Sequence, residues 1–514
     1  MNQAENFKRL TCTEAIQTDL RSKSVRAAVF TWAAGSSDFI LRIVSTAILA
    51  RLVLPEQFGL VMMVTAVTAI ADQFRDLGLS TATVQRKQIG HQEVTNLFWI
   101  NVLAGTVITL VICAASPLVS AYYKEPRLTV ITCILASNFF FGGLMVQHQA
   151  LLARVLKLGH SATVRVLTSV ISTVVAVLLA WKGFGYWALV WREVVRSVLL
   201  VAGMWFCFPW VPGPPCWKTD IRGLLGFGMH LSAANIFASI SGGADRFLLG
   251  RFWGAGPVAM YRQAFLLLVV PMDQLLSPLY QVAQPGMSML QTEALRYRRF
   301  YQKVLTLVCV ATMPLSLFAA VYSAEIIRIV LGRRWLDAAP LLMILSFDAF
   351  IRQAVGSSAQ VLITRGRSKM YLGLTMLHNV TVILLMVIGV RWGANGIALA
   401  DVATTYLLIA PRLYYSLKDS PVTIGTFFAT IARPAMASIL MAIALGFLRQ
   451  ALPPFGAPIV LLLASVIGVV VFFGAWVLVP GGKAELIGLV ADLRLALQTK
   501  TGRASALEPV AVAS

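Results

Sequence analysis

Apolar runs of about twenty residues follow one another along almost the whole chain, separated by short polar turns. Phe58 through Ala82 is one such run, and Ile459 through Leu478 is another. A helix of that length crosses the hydrocarbon layer of a bilayer while satisfying its own backbone hydrogen bonds. The pattern predicts fourteen spans, near 27–50, 58–82, 95–119, 128–150, 161–181, 184–207, 224–250, 260–284, 304–331, 339–363, 371–391, 395–416, 427–449 and 457–479. Proline and glycine punctuate the breaks, at Leu54-Pro55, Lys124-Glu125-Pro126, Pro212-Gly213-Pro214-Pro215 and Leu452-Pro453-Pro454. The expected fold is all-α: a polytopic membrane protein with about fourteen transmembrane helices.

The pattern repeats. Ala50-Arg51-Leu52 before Phe58-Gly59-Leu60 is echoed by Gly250-Arg251-Phe252 before Val258-Ala259-Met260, at an offset of 200. The segments beginning at Gly183 and Gly393 align at an offset of 210, and the basic turns ending in Arg154 and Arg365 keep nearly the same spacing. Together these predict two six-helix lobes of the same topology, 25–210 and 211–420, related by an axis along the membrane normal. A further helix pair (421–480) lies outside the repeat, between a cytoplasmic segment (1–24) and a cytoplasmic tail (481–514). The tail carries Leu486, Ile487, Leu489, Val490, Leu493 and Leu497 at spacings that suit an amphipathic surface helix.

Composition agrees: the 514 residues are 58% hydrophobic and only 13% charged. The net charge of +21 does not indicate nucleic acid, because the Lys and Arg are scattered among short turns rather than gathered in a domain. With the N-terminus in the cytoplasm, the inner turns hold about twice the basic residues of the outer ones, which places both termini inside. The six cysteines are isolated and the five histidines lack ligand spacing, so no metal or other cofactor is expected. No GxxxxGK[ST], GxSxG or HExxH motif occurs, and no loop is long enough for a soluble catalytic domain.

Charges within the apolar runs are the candidate chemistry, since each is costly there unless it faces a cavity or a partner. Asp38 and Arg42 in span one, Asp72, Arg75 and Asp76 in span two, and Asp348 and Arg352 in span ten stand three or four residues apart, on one helical face. Asp245 and Arg246 lie near the outer end of span seven; Asp273 and Asp401 stand alone in spans eight and twelve. Span six holds Arg192, Glu193 and Arg196. The simplest role for any single pair is structural neutralisation. As an ensemble they predict a cavity in which Arg42, Arg75, Arg246, Arg251 and Arg352 bind an anionic head group, the guanidinium fork suiting phosphate. The aspartates Asp38, Asp72, Asp76, Asp245, Asp273, Asp348 and Asp401 are then candidate proton or sodium sites.

The segments Ile48-Leu49-Ala50-Arg51-Leu52-Val53-Leu54-Pro55-Glu56-Gln57-Phe58-Gly59-Leu60 and Phe74-Arg75-Asp76-Leu77-Gly78-Leu79-Ser80 carry a family likeness. So do Asp245-Arg246-Phe247-Leu248-Leu249-Gly250-Arg251 and Gly332-Arg333-Arg334-Trp335. In these segments, and over about residues 25–420, the chain resembles the Wzx-type polysaccharide flippases of the multidrug/oligosaccharidyl-lipid/polysaccharide exporter superfamily. Within that family it looks most like exporters of the colanic acid, succinoglycan and xanthan type. The resemblance implies a MATE-like V-shaped bundle with a cationic cavity, and a lipid-tail groove beside the last helix pair. It implies an undecaprenyl-diphosphate-linked oligosaccharide as substrate, flipped outward across the bacterial inner membrane for exopolysaccharide or lipopolysaccharide synthesis. Coupling to H⁺ or Na⁺, and neighbouring polymerase and chain-length or export proteins as partners, are implied likewise. The chain departs from the related lipid II flippases in lacking a match to their arginine set. Two rivals remain on sequence grounds. A multidrug/toxin exporter of the same superfamily would favour an acidic cavity, and a membrane-embedded polysaccharide polymerase would need a long periplasmic loop.

Overall fold

The computed structural model describes residues 20–75, 80, 83–84, 86, 89–215, 239–451, 456–479 and 482–483. Its helices are α1 (Leu20–Leu52), α2 (Pro55–Ala71), α3 (His91–Tyr123), α4 (Arg127–Arg154), α5 (Leu158–Trp181), α6 (Tyr186–Cys207), α7 (Ala244–Trp253) and α8 (Ala255–Met289). They continue as α9 (Ala294–Val321), α10 (Ser323–Val330), α11 (Ala339–Thr364), α12 (Ser368–Gly389), α13 (Gly393–Leu407), α14 (Ile409–Leu417), α15 (Ile424–Ala451) and α16 (Ala457–Leu478). No strand occurs among the described residues, and the expected all-α, multi-helix membrane fold is borne out. Ten stretches among the described residues are long and apolar enough to cross a membrane by length and composition. The expected seventh span lies mostly outside the described residues, where α7 is its described end, and so do Asp76 and the expected tail helix.

Local chemistry explains the helix ends. Pro55 opens α2, where its missing N–H is no loss, and Glu56 in the first turn complements the helix dipole. The helix tightens into a 3-10 turn at Asp72–Phe74, where polar residues interrupt the apolar run. The Glu93 carboxylate accepts the Gly90 N–H at 2.9 Å and so caps the start of α3. In the turn between α3 and α4, Arg127 donates to both Glu125 oxygens at 2.8 Å, which holds that carboxyl below its usual range. Helix α9 begins well before the expected 304, because the basic turn holding Arg296, Arg298 and Arg299 is itself helical. The remainder of that expected span is the separate α10, and the expected span 395–416 is divided into α13 and α14.

The chain forms two compact units. The first comprises residues 1–267, 327–345 and 375–404, and the second 268–326, 346–374 and 405–514. This partition differs from the sequence halves 25–210 and 211–420. In the first unit α3 packs along α4, α5 along α1 and α6, and α4 along α6. Its core includes Val94, Phe98, Leu151, Leu152, Met204 and Trp210. In the second unit α9 and α16 both pack on α15, around Tyr297, Tyr301, Met313 and Phe427 at one end and Tyr322, Met441, Phe472 and Trp476 at the other.

The residues that carry the family likeness meet in the first unit. Trp335 is fully buried, donates its indole N–H to the Ala50 carbonyl at 2.8 Å, and meets the Phe58 ring edge-on at 5.3 Å. Arg51 donates to the Ile329 carbonyl at 2.5 Å. Gly59 lies so near the Ala255 carbonyl that a Cβ there would overlap it. These side chains fasten the start of α2 to the segments around residues 255 and 335, a structural duty.

Candidate functional site

Helix α2 carries polar side chains inward along its second half, at Thr65, Thr68, Asp72 and then Arg75. They face α4, α5 and α6 across a cavity of about 590 Å³ that lies wholly within the first unit. Four arginines line it: Arg75, Arg165 on α5, Arg196 on α6 and Arg246 on α7. Two acids, Asp72 and Glu193, share the lining with Asn138, Gln149 and Ser197. Basic groups outnumber acidic ones, so the chamber carries a positive potential that low-dielectric walls strengthen.

The arginines are positioned rather than spent. Arg75 reaches Asp72 at 3.2 Å through one terminal nitrogen, while its buried Nε has no hydrogen-bond partner among the described residues. Its side chain lies against Gly142 on α4, where a Cβ would stand 2.6 Å from the Arg75 Cδ. Arg246 donates to the Gly242 carbonyl at 3.0 Å and reaches the Thr65 hydroxyl at 3.4 Å. Its Nε stands 3.7 Å from Asp245, and one Asp245 oxygen is buried without a partner among the described residues. Arg196 pairs loosely with Glu193 at 3.6 Å. The Arg165 carbonyl accepts the Thr168 hydroxyl at 3.0 Å, while its guanidinium makes no ion pair or hydrogen bond among the described residues. An anion entering the chamber therefore meets donors that neighbouring carboxylates have not saturated.

Of the arginines expected from sequence, Arg75 and Arg246 share this chamber; Arg42 and Arg251 are not in its lining. Arg42 pairs with Asp38 at 3.4 Å, and Ser169 donates to the same aspartate at 2.9 Å. The Arg251 guanidinium lies 5.8 Å from the centre of the Tyr122 ring. Asp401 is buried and accepts the Tyr261 hydroxyl in a short hydrogen bond. In the second unit Arg352 and Asp348 form an ion pair at 2.5 Å, with Thr405 donating to Asp348 at 2.5 Å. Asp273 there accepts from Gln353 at 3.4 Å. Glu193 and Arg196 stood among the span-six charges without a place in the expected binding set, and Arg165 was not singled out by sequence, although the same signal, a charge inside an apolar run, marks all three. Which face of α5 or α6 meets α2 is a matter of packing that hydropathy does not encode.

The comparisons with known proteins point one way. A family model described as "Polysaccharide biosynthesis protein" matches residues 48–340. The lipopolysaccharide biosynthesis protein WzxC of Escherichia coli (strain K12) is 26% identical over 392 residues, covering 74% of this chain and 78% of that one. The succinoglycan biosynthesis transport protein ExoT of Rhizobium meliloti (strain 1021) is 23% identical over 485 residues, 92% of this chain and 96% of that one. Among solved structures, the lipid II flippase MurJ in an inward closed conformation superposes with a TM-score of 0.72 at 12% identity. That match covers 87% of this chain and 98% of MurJ. An inward-facing multidrug resistance MATE family transporter of the MOP superfamily gives 0.59 at 14% identity, over 74% and 96%. These structural likenesses establish the shared fold.

Proposed function

Because the chain belongs to the polysaccharide biosynthesis protein family, we propose that it flips an undecaprenyl-diphosphate-linked oligosaccharide across the bacterial inner membrane. It is a multi-pass membrane transporter rather than an enzyme. The observation that carries the substrate reading is the four-arginine chamber of the first unit, with unsaturated donors on Arg75 and Arg246. A diphosphate and its sugar hydroxyls cannot enter hydrocarbon alone, since each unpaired polar group costs several kcal/mol. Fixed guanidinium groups replace part of the lost hydration, and the polyprenyl tail stays in lipid.

In this reading the termini are cytoplasmic, and the chamber, near the inner end of α2, receives the substrate from the cytoplasmic leaflet. Lobes 25–210 and 211–420 rock to expose it alternately, with H⁺ or Na⁺ exchanged at aspartates such as Asp273, Asp348 or Asp401. The basic lining favours this substrate over the hydrophobic cations of a drug exporter.

The test is complementation of a deletion strain. Loss of polymer with lipid-linked repeat units accumulating on the cytoplasmic leaflet supports flipping. Arg75→Ala and Arg246→Ala should each lower polymer output about tenfold or more at normal membrane abundance, the scale of a lost charge-assisted hydrogen bond. Export of single unpolymerised units by the deletion strain would instead identify a polymerase.

A further inference from the structure

A second cavity of about 660 Å³ lies in the same unit at the opposite end of α2. It is built by the start of α2 with Glu56, the end of α7 with Trp253, the 3-10 turn Arg333–Ala338, and the turn holding Trp392 and Asn395. A 3-10 helix has three residues per turn, so residues three apart eclipse one another. Trp335 and Ala338 accordingly form the buried face of that turn, while Arg334 and Asp337 line the cavity together. Glu56, Arg334, Asp337 and Asn395 line it without a side-chain hydrogen bond or ion pair among the described residues.

Two indoles complete the wall. Trp253 donates its N–H to the Val390 carbonyl at 2.7 Å and packs one side of its ring 3.5 Å from the point where a Cβ on Gly393 would stand. The ring is thereby fixed in place while half exposed, at 50%. Trp392 is 66% exposed. A tryptophan that only anchors a helix at the membrane interface needs no concave polar surface beside it. Here both rings border a cavity whose other functional groups are two carboxylates, one guanidinium and one amide. The charges on this lining sum to a slight excess of acid, which repels phosphate. Flat apolar rings beside unsaturated donors and acceptors suit the alternating C–H faces and hydroxyl edges of a pyranose.

We propose that this cavity is a separate carbohydrate-binding site, which holds the sugar portion of the transported molecule after it leaves the basic chamber. Trp253 and Trp392 stack on sugar rings, and Arg334 and Asp337 bond adjacent hydroxyls. The proposal rests on the flippase reading for the origin of its sugar, but its binding chemistry is separately measurable. The sugar has two sources with the same chemistry, the single repeat unit and the finished polymer.

The experiment titrates the full chain in nanodiscs with three probes: the lipid-free repeat-unit oligosaccharide, the polymer from the same strain, and inorganic pyrophosphate. Trp392→Ala should weaken oligosaccharide binding about five- to tenfold, the scale of one aromatic contact. Trp392→Phe should retain most of it, and Arg334→Ala should weaken it as well. Tighter binding of repeat unit than of polymer assigns the site to transport; the reverse overturns that assignment. Wild-type oligosaccharide affinity in both Trp392→Ala and Arg334→Ala, or no binding by the wild type, overturns the site. Failure of pyrophosphate to bind the wild type would count against the basic chamber alone.

Discussion

The two cavities of the first unit lie at opposite ends of α2 and differ in what lines them. One gathers four arginines against two acids; the other sets two tryptophans beside Glu56, Asp337 and a single arginine. The first offers charge to an anion and the second offers flat surface to a neutral ring. Both depend on side chains held in place by neighbours: Arg75 against Gly142, and Trp253 by the Val390 carbonyl. One scaffold helix thus serves two chemistries, and the difference resides in the helices and turns brought up to it.

The comparison breaks most sharply at Gly142. Valine there would drive into the Arg75 side chain, so Gly142→Val should reduce polymer output nearly as far as Arg75→Ala, about tenfold. Oligosaccharide binding by the purified protein should stay at the wild-type level. Equal loss of both would mean the two cavities are not independent. Salt gives a milder separation. Raising ionic strength from about 0.05 M to about 0.5 M should weaken pyrophosphate binding several-fold and change oligosaccharide binding less than about twofold. Parallel decline of the two affinities would erase the proposed division of labour. The smallest effect is expected at Trp335, which touches neither ligand. Trp335→Phe leaves the Ala50 carbonyl without its indole donor, a cost of about 1–2 kcal/mol. Thermal melting should fall by a few degrees while polymer output persists.

Much of the architecture was legible in the sequence, because a twenty-residue apolar run has few alternatives to a spanning helix. Helix ends were less so: the basic turn before Lys303 is helical although its hydropathy is that of a loop. In the chamber, Asp72, Arg75 and Arg246 stood out as charges in costly places. Arg165 and Arg196 carried the same mark, but their convergence depends on the rotation of α5 and α6, which short-range pattern leaves open. The second cavity was not foreseen at all. Trp253, Arg334 and Trp392 are far apart in the chain, and each alone reads as an ordinary interfacial residue.

Helix α2 is 17 residues long, so about 25 Å of continuous backbone separates Glu56 from the Asp72 turn. Over that distance an α-helix behaves as a stiff rod, bending only gently unless a proline or inserted group disrupts it. Past Pro55, its first residue, α2 contains no proline. A sugar seated at one end therefore has no soft joint through which to deform the arginine end. Whatever one terminus learns of its cargo, the other receives only as a tilt or slide of the whole rod, like a key felt turning from the far side of a door.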